Sequence, residues 1–124
     1  MPLYKSLDVN SQTHVKIWHI SEPLDSLKAS LNLKKESLER VNAMKSELHQ
    51  RGFLCVRKLL NSFGYTDQDL FYDNSGKPHL KDGHFISITH SYNYAAVVVS
   101  SCPVGVDIEK QRHKIKLHPD GKGP

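Results

Sequence analysis

At 124 residues, 38% hydrophobic and 24% charged, the chain has the size of one ordinary domain with a modest core. The longest apolar run, residues 95–99, is too short to cross a bilayer, and residues 1–10 lack a cationic segment leading into an apolar one. No membrane partner and no signal peptide are therefore expected, and the expected location is cytoplasmic. The formal charge is +4, but Lys110, Arg112, Lys114, Lys116 and Lys122 crowd into residues 110–124 against Asp120 alone, and the remainder is near neutral. Charge therefore gives little support to a nucleic-acid partner. Cys55 and Cys102 form neither a disulfide framework nor a zinc site, and both are expected as buried free thiols.

Residues 15–20 alternate, with Val15, Ile17 and His19 on one face and Lys16, Trp18 and Ile20 on the other, which predicts a strand. Pro23 ends it or starts a turn. Leu38, Val41, Met44 and Leu48 recur at helical spacing from about Lys34. Phe53, Val56, Leu60 and Phe63, widened by Leu59, predict a second helix over residues 49–62, with Gly64 as its cap. Residues 70–72 read as a short strand and residues 74–78 as a turn. Residues 85–89 alternate, residues 94–100 are almost wholly apolar as in a central strand, and residues 104–108 form a third run beginning after Pro103. The class is α+β, helices first and an antiparallel meander after. Residues 1–112 form one domain; residues 113–124 are expected as loop or disordered tail.

Three groups carry chemistry. In a strand, Gly105, Asp107 and Glu109 share a face, with carboxylates about 7 Å apart at the backbone. Two close carboxylates repel, so the pair favours a cation between them, and an oxygen donor set suits magnesium, which commonly takes phosphate oxygens as well. A solvated strand face is the alternative reading of that pattern. Thr89-His90-Ser91 ends another strand, where a histidine serves as a base, a phosphate contact or a plain polar cap. Gly76-Lys77-Pro78 lacks the spacing of a nucleotide triphosphatase loop, yet a lysine in a turn can meet a phosphate as a point charge. Trp18, Tyr65, Tyr72, Tyr92 and Tyr94 do not make the aromatic-basic pattern of an RNA-binding sheet.

In their order and separation, Gly76-Lys77-Pro78, Phe85-Ile86-Ser87-Ile88-Thr89-His90-Ser91 and Gly105-Val106-Asp107-Ile108-Glu109 resemble a 4'-phosphopantetheinyl transferase of the long, surfactin-synthetase-activating type. The helix with Arg51, Phe53, Leu54, Arg57 and Leu59 resembles the family's arginine-containing helix, and the resemblance covers residues 16–112. It implies helices packed on an antiparallel sheet, one half of a pseudo-dimeric fold with the active site between halves. It further implies transfer of phosphopantetheine from coenzyme A to a serine of an acyl or peptidyl carrier protein. In these roles Asp107 and Glu109 would hold magnesium, and His90 and Thr89 would contact phosphate. Lys77 and Pro78 would line the adenine side, and a carboxylate or a metal-bound water would deprotonate the carrier serine. The family usually has serine where Thr89 stands; the hydroxyl is kept.

The second half's Trp-x-x-Lys-Glu-Ala segment has no counterpart in residues 111–124. The resemblance therefore implies an incomplete enzyme, inactive alone, with an apolar face free for self-association or a separate second half, and the tail reading as a truncation. A non-catalytic coenzyme A binder and a protein-interaction domain are the alternative readings.

Overall fold

The computed structural model describes residues 3–91, 93–109 and 114–119, and the side chains of residues 5–91 and 93–103. In chain order the described elements are β1 (Leu3–Asp8), β2 (Thr13–His19), α1 (Leu24–Ala29), α2 (Lys35–Ala43) and α3 (Glu47–Ser62). A 3-10 turn (Asp67–Asp69) follows, then β3 (Leu70–Tyr72), β4 (Pro78–Leu80), β5 (Phe85–His90), β6 (Tyr94–Ser100), β7 (Val104–Glu109) and β8 (Lys114–Pro119). The expected α+β class holds: helices pack on an antiparallel sheet of order β1-β2-β6-β5.

The sheet is organised by β6, because its residues are apolar on both faces. Ala95, Val97 and Val99 meet the helices, and Ala96 and Val98 lie buried with Val15 and Ile17 on the other face. A strand buried on both sides belongs in the middle, and β6 lies between β2 and β5. β2 follows the expected alternation: Trp18 enters the helix-side core and Val15 and Ile17 the second cluster. Lys16 shares the Trp18 face yet stays half-buried, because its Nζ reaches Ser62 O at the end of α3 at 2.5 Å.

Most of the core belongs to α3. Phe53, Leu54, Val56, Leu59 and Leu60 are buried against the sheet. At about 1.5–3 kcal/mol for each large apolar side chain, this burial outweighs the roughly 1 kcal/mol that Gly52 costs inside a helix. The helix stops as the sequence predicts. Gly64 adopts φ +92° and donates to Asn61 O at 3.0 Å, while Tyr65 N–H donates to Leu60 O at 3.0 Å, so two terminal carbonyls are satisfied.

Several expectations change. The stripe from Leu38 to Leu48 breaks at residues 44–46, where Ser46 caps α3 and Gln50 Nε2 donates to Val41 O and Met44 O. Leu38 is consequently exposed, and Ser37 and Val41 face inward. The expected meander through β7 gives way to a different order. β6 takes β2 as its second neighbour, and β7 pairs with β8 as a separate ribbon lying alongside β5 and β6. Within residues 113–124, expected as loop, Lys114–Pro119 form β8, in which Ile115 and Leu117 alternate with polar residues. Cys102 is exposed at the bend after β6, its thiol donating to Gln12 Oε1 at 3.2 Å. Cys55 is buried as expected, and burial, reinforced by the Glu22 charge and partly offset by Arg51 and Lys58, pushes its thiol up to about 12. Such a group stays protonated and unreactive at neutral pH. Residues 3–8 supply β1, which pairs with β2, and residues 24–29 supply α1; neither carries enough periodicity to be predicted. No helix among the described residues is long and apolar enough to cross a membrane.

Candidate functional site

His90 stands at the last position of β5, on an edge of the four-stranded sheet. Alternation puts it on the same face as Ile86 and Ile88, which pack into the helix-side core. The strand ends there, so this face leaves the core at its last residue. Ile86 is buried, Ile88 is half-buried and His90 is exposed, so the face runs out of the core without a bend. There His90 lines a cleft of about 280 Å³ with Arg40, Met44, His49, Phe53, Val56, Arg57, Tyr72 and Ile88. His49 meets it edge to face, with ring centroids 6.3 Å apart.

The floor of this cleft is fixed by a buried ion pair. Arg57 and Asp67 are each 3% exposed, and Arg57 Nε donates to Asp67 Oδ1 at 3.2 Å. The other carboxylate oxygen of Asp67 accepts from Lys34 N–H at 3.0 Å. The Arg57 guanidinium lies 3.6 Å from the Phe53 ring centroid and donates through Nη2 to Tyr72 Oη at 3.3 Å. Two guanidiniums and two imidazoles therefore gather around one concavity, with Arg40 stacked on Tyr72 at 4.4 Å. Such a donor set suits a phosphorylated ligand.

Lys77 and Pro78 lie elsewhere. They line a second cleft of about 270 Å³ with Phe71, His79, His84, Phe85 and Pro103 among others. A third concavity, walled by Lys34, Glu36, Ser37, Arg40, Arg57, Phe71 and Tyr72, shares lining residues with both, so the β3 side chains Phe71 and Tyr72 connect the two clefts. Lys77 is held by a residue the sequence reading passed over. Asp73 Oδ1 accepts from Ser75 N–H at 2.9 Å, Ser75 Oγ at 2.6 Å and Lys77 N–H at 3.0 Å, and Oδ2 lies 2.8 Å from His79 Nε2. The His79 contact first, then the Ser75 and Lys77 donors, hold the Asp73 carboxyl well below the usual carboxylate range. Asp-Asn-Ser-Gly-Lys is the signal that could have found it, since an aspartate opening a turn bonds its own following amides. Gly76, at φ +86°, completes the reversal.

On the rim of that cleft, Asp82 accepts from Tyr65 Oη at 2.6 Å and from His84 N–H at 2.9 Å. Burial raises the Asp82 carboxyl, but the Tyr65 and His84 donors outweigh it and leave the group lowered. Burial and the Asp82 charge push the Tyr65 phenol up.

Thr89 is half-buried and, by alternation, on the opposite face of β5 from His90. Asp107 and Glu109 fall on β7, two residues apart and therefore at same-face positions; in the ribbon register they stand opposite Lys116 and Lys114. Their side chains lie outside the described residues. Among the described residues, no group of three His, Cys, Asp or Glu side chains could hold a metal ion.

The helix-on-sheet architecture and the cleft lined by Arg40, His49, Arg57 and His90 define an α+β domain. Residues 45–100 match the family model of the 4'-phosphopantetheinyl transferase N-terminal domain, and this similarity supports that superfamily. The matched stretch begins just after α2 and contains all of α3, the Gly76-Lys77-Pro78 turn, β5 with His90, and β6; Asp107 and Glu109 lie beyond it. No curated protein matches the chain.

Proposed function

We propose that this chain is the first half of a long-type, surfactin-synthetase-activating 4'-phosphopantetheinyl transferase. Its substrates are coenzyme A and the serine of an acyl or peptidyl carrier protein. The observation that carries this reading is the cleft of Arg40, His49, Arg57 and His90, which lies within the family-matched stretch apart from Arg40. His90 would donate to a coenzyme A phosphate and Arg40 would balance its charge. Arg57, already engaged with Asp67, would act through the shape and field of the cleft floor. Lys77 and Pro78, on the connected cleft, would meet the adenine side, and Thr89 would offer its hydroxyl to phosphate from the other face of β5.

Asp107 and Glu109 fit magnesium by their chemistry: two carboxylates at same-face positions of one strand form an oxygen-only donor set. Bound there, magnesium would supply charge neutralisation for the pyrophosphate. The sequence contains no Trp-x-x-Lys-Glu-Ala segment, so residues 1–124 are proposed to bind coenzyme A without turning it over until a second half is supplied.

Titration of coenzyme A into the chain with magnesium tests the ligand; saturable binding that EDTA weakens is expected. Absence of saturable binding would refute it. Mixing the chain with magnesium, coenzyme A and an apo carrier protein tests the incompleteness. The carrier's mass is expected to stay unchanged, and a phosphopantetheine adduct at enzymatic turnover would overturn that part. Binding without transfer even after a second half is supplied would favour a coenzyme A binder over an enzyme.

A further inference from the structure

Gly52 lies in the second turn of α3, and it is buried. Glycine is required where φ is positive, and the positive-φ glycines are Gly64, Gly76 and Gly83. Backbone conformation therefore does not demand glycine at position 52, and helix propensity disfavours it. Space does demand it. A Cβ placed on Gly52 would sit 2.9 Å from His90 Nδ1, closer than real Cβ atoms come, and 3.1 Å from both Cε1 and Cγ, tighter than nearly all such contacts, so the ring would have to shift. The imidazole of His90 thus lies directly on the α3 backbone, in the gap left by the missing side chain.

We propose that Gly52 is a positioning residue for His90: its lack of a side chain seats the imidazole against α3 and aims it into the cleft beside His49 and Arg40. This rests on the phosphate-binding reading of His90 for its functional consequence, but the seating itself does not. The clash falls on the end of a side chain and not on another backbone. An added methyl is therefore relieved by rotation of His90, with the helix left intact. A stability-neutral substitution thereby becomes a ligand-specific one.

The experiment is Gly52→Ala, alone and with His90→Ala, followed by thermal unfolding, by proton–carbon correlation spectra of the histidine rings and by coenzyme A titration. Gly52→Ala is expected to fold with an unchanged or raised Tm and to move the His90 ring signals, with His14, His79 and His84 unmoved. It is expected to weaken coenzyme A binding roughly tenfold, as for one lost charge-assisted hydrogen bond, and to have no effect on affinity in the His90→Ala background. If Gly52→Ala unfolds while Gly52→Ala/His90→Ala folds, the clash with the ring is equally supported. Unchanged His90 signals would overturn the proposal, as would an affinity loss of the same size without the ring, or unfolding of both variants. Should the native chain bind no coenzyme A, the phosphate reading fails, and the ring signals still decide whether Gly52 seats His90.

Discussion

Two aspartates six residues apart each gather several hydrogen-bond donors, yet one is buried and the other is exposed. Asp67 takes Arg57 Nε and Lys34 N–H in a site 3% exposed, while Asp73 takes Ser75, Lys77 and His79 on the surface. The hydrogen bonding is similar; the solvent is not. Water competes for every partner of Asp73 and screens its charge, so its contacts shape a turn without holding the domain together. Asp67 has no such alternative. Removing it leaves Arg57 buried and uncompensated beneath the cleft that His90 lines. The two carboxylates thus divide the work, Asp67 fixing the floor of the His90 cleft and Asp73 fixing the lysine turn of its neighbour.

The comparison is broken most severely at Asp67. Asp67→Ala is expected to cost about 3–5 kcal/mol in chemical denaturation, the penalty of a stranded buried charge. A loss under 1 kcal/mol would mean that water reaches Arg57. Next in size is His90→Ala, which removes the proposed ligand contact at an exposed position. It is expected to leave the denaturation midpoint unchanged and to weaken coenzyme A binding about tenfold to a hundredfold. Asp73→Ala is expected to leave global stability almost untouched. It should release the amides of Ser75 and Lys77, seen as faster hydrogen exchange confined to residues 73–79, with a smaller loss of affinity than His90→Ala.

The smallest effect is one of pH. The folded Asp73 carboxyl lies below its ordinary value, so its contribution is fully present above the ordinary carboxylate range and is lost as pH falls through the folded value. The Ser75 and Lys77 amide shifts should therefore stay constant from pH 7 down to about pH 4 and change only under stronger acid. A change centred at pH 4 or above would show that the turn does not hold the carboxylate.

How much of this was legible in the sequence depended on whether the signal was local. The cap at Gly64, the extent of β6 and the second helix follow from apolar period and glycine placement, and they stand within two residues of expectation. The β2–β6 pairing joins residues some eighty positions apart, and no local pattern reveals it. For the same reason the meander expected through β7 was an extrapolation from neighbouring runs. His90 was found, but its companions Arg40, His49 and Gly52 come from α2 and α3 and reach it only through the packing of helix on sheet. Arg57 was visible as part of the helix pattern; its partner Asp67 sits ten residues on, in a turn whose burial the sequence does not advertise.

We propose that magnesium held by Asp107 and Glu109 of β7 joins this chain to a phosphate-rich ligand. Calorimetric titration of coenzyme A into the native chain and into Asp107→Asn, each with and without magnesium, tests it most directly. The native chain should bind more tightly with magnesium, and Asp107→Asn should bind weakly and identically in both conditions. Magnesium dependence that survives Asp107→Asn unchanged would contradict the claim.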